Sequence, residues 1–274
     1  MSRISSCLQK LADNNVKAVV PYIVAGDPDP GASVAVMHQL VADGADIIEL
    51  GVPFSDPMAE GPVIQRAHER ALVHNVSLND TLLFVSEFRQ KNNHTPIVLM
   101  GDANPLEAMG YKQFATKAEQ AGVDAVLVVD LPPEEAEPLS ALLRQKAIDI
   151  IYLIAPTTSE KRVGEICERA SGYIYYVSLK GVTGAGHLDT VEVAQNVERI
   201  KRYTNLPVCV GFGIKDAESA KVIASCADGI VVGSALVAEF ENFSDATENP
   251  CSVSYTDLLQ ALHHKFSVIA SAVK

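Results

Sequence analysis

Tryptophan is absent from this chain, and aromatic residues make up only 6% of its 274 positions. No apolar run approaches the roughly 18–20 residues that a membrane-spanning helix requires, so no span is expected. Its first ten residues, Met-Ser-Arg-Ile-Ser-Ser-Cys-Leu-Gln-Lys, hold no apolar core of signal-peptide length. The five cysteines, Cys7, Cys167, Cys209, Cys226 and Cys251, are odd in number and scattered. None forms a CxxC pair or sits at Cys/His ligand spacing, which excludes a disulfide framework and points to reduced thiols of a cytoplasmic protein. No His/Asp/Glu cluster has ligand spacing either, so no metal is expected. The neighbours His263 and His264 lie in a polar helical stretch and read as surface residues. Positive charge is scarce, with 22 Lys and Arg against 34 Asp and Glu and a formal charge of −12. Such a surface repels nucleic acid and anionic membranes. An anionic small ligand would need a local trap.

Small and β-branched apolar residues are plentiful instead, within a hydrophobic content of 48%. Eight short continuous apolar runs occupy residues 18–24, 46–50, 97–100, 125–129, 150–154, 173–177, 208–210 and 229–232. Continuity without alternation is the mark of strands buried on both faces. Between them, segments such as 32–43, 111–121 and 217–225 space their apolar residues by three and four, as amphipathic helices do. Asp43-Gly44-Ala45-Asp46 and Ala121-Gly122-Val123-Asp124-Ala125 each end a helix and feed a strand, with Gly suited to the left-handed position. Eight such units predict an α/β protein, a single (βα)8 TIM barrel over residues 1–274 with extra helices at the N- and C-termini. A doubly wound open sheet is the alternative. The polar stretch 239–252 reads as a link from a short helix after the eighth strand to a final helix at about 255–272.

Residues 49–62, Glu-Leu-Gly-Val-Pro-Phe-Ser-Asp-Pro-Met-Ala-Glu-Gly-Pro, are the most informative segment. The second strand ends on Glu49, and its loop adds Asp56 and Glu60. An acid at the carboxyl end of a parallel strand either frays into solvent or stands where barrels build active sites. Other strand ends supply Asp102 to Pro105, Asp130 to Pro133, a Gly-rich loop from Ser178 to Gly186, Gly211 to Ile214, and Gly233 to Ala235. The last three resemble a phosphate cradle, where backbone N–H groups and helix N-termini meet an anion. Glycines there also serve plain tight turns. The loop from Ser178 to Gly186 is either a lid that excludes water or merely loose.

Taken in order, seven segments resemble the α subunit of tryptophan synthase. They are Pro21 to Pro28, Glu49 to Pro57, Gly122 to Asp124, Asp130 to Pro133, Gly181 to Gly184, Gly211 to Ile214 and Gly233 to Ala235. The resemblance implies cleavage of indole-3-glycerol phosphate to indole and glyceraldehyde 3-phosphate. It implies a β subunit that carries pyridoxal phosphate and receives indole through a tunnel in an α2β2 heterotetramer, with no cofactor in this chain. Glu49 matches the family's acid/base. Glu60 stands where Asp normally holds the indole N–H, a departure of one methylene. Tyr22, where Phe is common, and Met100, Leu127, Tyr175, Thr183 and Phe212 match substrate neighbours, although Met100, Leu127 and Phe212 also suit ordinary core. Gly184, Gly213, Gly233 and Ser234 match phosphate binders. Asp56, Pro57, Asn104 and Pro132 match the surface that meets the β subunit, and could equally be loop stiffeners. Asp102 falls where many members have Tyr and adds a third acid. Lys180 has no settled role.

Two other readings remain at this level. One is a sugar-phosphate isomerase, which would need an acid at the fifth strand's tip, where the chain has Ile154-Ala155-Pro156-Thr157-Thr158. The other is a weakly catalytic allosteric subunit that binds the ligand and activates its partner.

Overall fold

A computed structural model describes residues 2–178, 190–211, 213–243 and 254–274. The elements run α1 (Arg3–Asp13), β1 (Ala18–Val24), α2 (Ser33–Ala42), β2 (Ile48–Gly51), α3 (Pro62–Val73), α4 (Leu78–Arg89), β3 (Ile97–Gly101), α5 (Ala103–Met109) and α6 (Tyr111–Ala121). They continue β4 (Ala125–Val128), α7 (Glu137–Gln145), β5 (Asp149–Ile154), α8 (Glu160–Arg169), β6 (Ile174–Val177), α9 (Thr190–Lys201), β7 (Val208–Gly211), α10 (Ala217–Ala224), β8 (Gly229–Val232), α11 (Ser234–Phe240) and α12 (Tyr255–Val273). The eight strands are all parallel and close in sequence order, β1 pairing with β8. This is the predicted barrel, with α1 and α12 as the terminal helices, and closure removes the open-sheet alternative.

The strands are buried along nearly their whole length, which is why they read as unbroken apolar runs. Their lower ends are pinned by three aspartates that the sequence places just before β2, β4 and β8. Asp46 accepts from the Val19 N–H, Asp124 from Ile97 N–H and Asp228 from Val208 N–H, each at 2.8–2.9 Å. Each carboxylate thus satisfies a donor at the start of a preceding strand, and so sets where the neighbouring strand begins. Gly44 and Gly122 supply the positive φ, 107° and 85°, that turns the chain into two of these aspartates. Helix α1 closes the bottom, with Arg3 on Asp124 at 2.9 Å and Ser2 on Asp149 at 2.8 Å.

The segment after the third strand differs from a plain loop. Asp102 is the N-cap of α5, so Ala103, Asn104 and Pro105 form a first helical turn. Proline is tolerated there because a first-turn N–H has no intrahelical partner. Asp46 and Ile47, read as the beginning of the second strand, precede it instead.

Candidate active site

At the carboxyl ends of the strands lies a half-open pocket of about 440 Å³, counted with the solvent it opens to, lined by Tyr22, Glu60, Ile64, Met100, Tyr175, Gly213, Ile214, Val231, Gly233 and Ser234. Strand register and strand parity place the inward side chains. Tyr22 is level with Glu49, and Gly51 with Met100. On β6, Tyr175 has the parity of Tyr173, the residue just before the strand, since side chains alternate along extended chain. Two glycines make room for the phenols: a Cβ at Gly51 would overlap the Tyr22 hydroxyl, and one at Gly211 would overlap that of Tyr175.

Glu49, level with the cavity-lining Tyr22, is fully buried and is not itself among the lining residues. Its Oε1 accepts a 2.5 Å hydrogen bond from Tyr173 Oη, while Oε2 is buried without a partner among the described residues. Burial pushes the carboxyl pKa up to about 8; the Tyr173 bond opposes this and the Glu60 charge adds to it. A buried, half-partnered carboxyl is costly as structure alone. Glu60 is 9% exposed and its pKa is raised to about 7, by burial first and by Asp102 second. Asp102 is 3% exposed and is itself raised to about 6, by burial and then by Asp130 and Asp56. Three carboxyl groups thus share one poorly solvated region, each making the next harder to ionise.

Helix α3 and the loop after β1 brace the wall. Arg70 grips Asp27 with two hydrogen bonds, Nε to Oδ1 at 2.6 Å and Nη2 to Oδ2 at 2.9 Å. Two residues earlier on the helix His68 approaches Tyr22, with Nε2 3.4 Å from the phenol oxygen. Neither residue stands out in the sequence, because helix periodicity predicts only that they face inward or outward. Tyr173 could have been found: it has the parity of Tyr175 in a strand whose interior face is accounted for.

Of the residues expected to bind substrate, Tyr22, Met100 and Tyr175 line the cavity together with Glu60. Leu127 is fully buried on β4, level with Met100, and is not among the lining residues. Gly213, with φ 77°, meets Gly233 and Ser234 on the same wall. Lys180, Thr183, Gly184, Phe212 and the rest of the Gly-rich loop after Ser178 lie outside the described residues. Asp56 and Asn104 are exposed, and Pro57 and Pro132 are half-buried. Among the described residues no group of His, Cys, Asp and Glu is arranged to hold a metal ion, and no helix is long and apolar enough to cross a membrane.

Residues 8–265 match the family model described as the tryptophan synthase alpha chain. The chain is 59% identical over 241 residues to the tryptophan synthase alpha chain of Chromobacterium violaceum, covering 88% of this chain and 91% of that one. It is 56% identical over 242 residues to that of Janthinobacterium sp. (strain Marseille), with the same coverage. Among solved structures, tryptophan synthase subunit alpha from Legionella pneumophila str. Paris superposes with a TM-score of 0.88 at 45% identity, covering all of this chain and 98% of that one. Tryptophan synthase from Mycobacterium tuberculosis gives 0.87 at 35% identity, covering 99% and 98%. By sequence along most of its length and by fold along all of it, this chain belongs to the tryptophan synthase alpha chain family.

Proposed function

We propose that Glu49 and Glu60 carry the cleavage of indole-3-glycerol phosphate that is this family's activity. The observation that supports it most is the pairing of a fully buried carboxyl on β2, Glu49, whose Oε2 has no partner among the described residues, with a cavity-lining one on the following loop, Glu60, whose charge bears on it. Protonated Glu49 gives its proton to indole C3, and positive charge develops at N1. Ionised Glu60 accepts a hydrogen bond from N1–H and offsets that charge. Glu49, now a carboxylate, takes the proton from the hydroxyl on the carbon attached to C3. The C–C bond breaks as the aldehyde forms, and its electron pair restores the aromatic ring. The proton count balances, with Glu49 returned to its starting form.

Tyr22, Met100, Ile64 and Tyr175 supply flat and apolar walls suited to the indole. Gly213, Gly233 and Ser234 present backbone to the phosphate, helped by the first-turn N–H groups of α11. We assign Thr183, Gly184 and Phe212 to the same ligand by resemblance, and Leu127 to the core that backs Met100. The chain has no cofactor of its own; pyridoxal phosphate belongs to the β subunit, the partner this family implies.

We place the β-subunit contact on the loops after β2, β3 and β4. Three consecutive strands bring Asp56, Pro57, Asn104 and Pro132 to one side of the mouth, beside Met58, which is 75% exposed. An α2β2 assembly with indole passed between sites, a single-domain α chain and a cytoplasmic location complete the reading. Indole release from indole-3-glycerol phosphate, for wild type, Glu49→Gln and Glu60→Ala, with and without a β subunit, tests it. Each substitution is expected to cut kcat by about a hundredfold or more. Wild type that binds substrate and releases no indole in either condition would sink the lyase assignment and leave the allosteric-subunit reading.

A further inference from the structure

Tyr22 carries a hydroxyl that a flat wall against indole does not require, and its surroundings decide where the phenol's hydrogen points. Tyr22 is 5% exposed, lines the cavity, and is level with Glu49 across the β1–β2 pair. His68 approaches it from α3. Its Nε2 lies 3.4 Å from Tyr22 Oη, and its Nδ1 lies 3.1 Å from the backbone nitrogen of Phe54. The Phe54 nitrogen always bears a hydrogen, so Nδ1 is the acceptor. His68 is 3% exposed, and burial lowers its pKa to about 4, so the ring is neutral near pH 7. A neutral imidazole that accepts at Nδ1 carries its hydrogen on Nε2. Nε2–H therefore donates to Tyr22 Oη, and the phenol's own hydrogen is turned away from His68.

The titratable groups facing Tyr22 are Glu60 from the loop before α3, Glu49 from β2, Tyr175 from β6 and Asp102 at the end of β3, with Glu60 bearing on it most. Glu49 already receives one phenol, from Tyr173. Glu60 lines the same cavity as Tyr22. A carboxylate has room for more than one donor, so one oxygen can meet the indole N–H and the other a phenol. Glu60 also has one more torsion to fix than the Asp that the family normally places there, and a second donor would fix it.

We propose that Tyr22, oriented by His68, is a positioning residue for Glu60: with substrate bound, its hydroxyl donates to the Glu60 carboxylate and holds it ionised against the indole N–H. This rests on the lyase reading above. It also links loop two to the site, since the Phe54 N–H sets the His68 tautomer.

The test is the pH dependence of kcat for indole release, which reports the enzyme–substrate complex, in Tyr22→Phe, which keeps the ring and removes only the hydroxyl. Loss of one charge-assisted hydrogen bond should raise the acid limb by about one pH unit, a roughly tenfold loss on the acid side. His68→Asn keeps an acceptor for Phe54 N–H and removes the donor to Tyr22, so it should move the limb the same way. The double variant should be no worse than Tyr22→Phe. Lost packing alone would lower kcat at every pH and leave the limb in place; that result, or additive effects in the double variant, overturns the proposal. Should His68→Asn fail to fold, Tyr22→Phe decides alone. An inactive wild type would overturn the lyase reading and this proposal together, whereas an active wild type with an unmoved limb in Tyr22→Phe overturns this proposal only.

Discussion

Tyr173 reaches across the barrel interior from the foot of β6 to Glu49 on β2, and its hydroxyl donates the hydrogen bond that Glu49 receives among the described residues. The two strands stand on opposite sides of an eight-stranded closure. One phenol therefore ties the barrel wall to its most perturbed carboxyl.

That bond holds the Glu49 pKa down against burial. Glu49 starts the reaction protonated and Glu60 ionised, so kcat/KM should be bell-shaped, with an acid limb near the Glu60 value of about 7 and an alkaline limb near the Glu49 value of about 8. The limbs belong to the coupled pair. Tyr173→Phe should raise the alkaline limb by about one pH unit, the worth of one hydrogen bond to a charged group. A pH–rate profile of the two proteins checks it; an alkaline limb that stays or falls would remove Glu49 from that role.

Asp102 acts on the other limb. Its charge is one of the two causes that raise the Glu60 pKa. Asp102→Asn keeps a good N-cap residue at the head of α5 and removes the charge. The acid limb should move to lower pH, opposite in sign to the shift expected for Tyr22→Phe. Stability should follow. The Asp102 pKa is raised to about 6 in the folded chain, so its carboxyl costs stability as pH rises from its ordinary value through 6. Thermal unfolding should show Asp102→Asn gaining on wild type above about pH 6, with the gain gone near pH 4. An equal Tm difference at both pH values would show that the charge is not the cause.

The barrel floor should be the part most sensitive to a single substitution. Asp124 receives Arg89 Nη2 at 2.6 Å, Arg3 Nη1 at 2.9 Å and the Ile97 N–H at 2.8 Å, and the Arg89 side chain is 8% exposed. Asp124→Ala leaves that guanidinium buried and short of an anion, at a cost of about 3–5 kcal/mol. Denaturant unfolding should show a lower midpoint, while kcat for the folded fraction stays close to wild type because Asp124 lies at the far end of the strands. A loss below 1 kcal/mol would mean that water or a neighbour replaces the carboxylate.

Strand continuity located all eight strands to within a few residues, and the Gly-x-Asp turns after α2 and α6 were visible because few residues other than glycine adopt a positive φ there. Glu49 and Glu60 were legible because acids beside an apolar strand end are rare. His68, Arg70 and Tyr173 were not, since each acts through a partner 43 to 124 residues away in the chain. Asp102 is legible as a third acid, but its influence on Glu60 depends on two loops meeting at the barrel mouth.

The sequence by itself determined the barrel, its order of strands and the pair of acids on loop two. Local periodicity, turn chemistry and the placement of charge at strand ends are properties of neighbours in the chain. Only the tertiary structure decided which acid is fully buried and which lines the cavity, which phenol meets which carboxyl, and which nitrogen of His68 carries the hydrogen. Those depend on closure of β1 onto β8 and on the depth of burial that closure produces, which sets the local solvation and therefore the protonation of every group in the site.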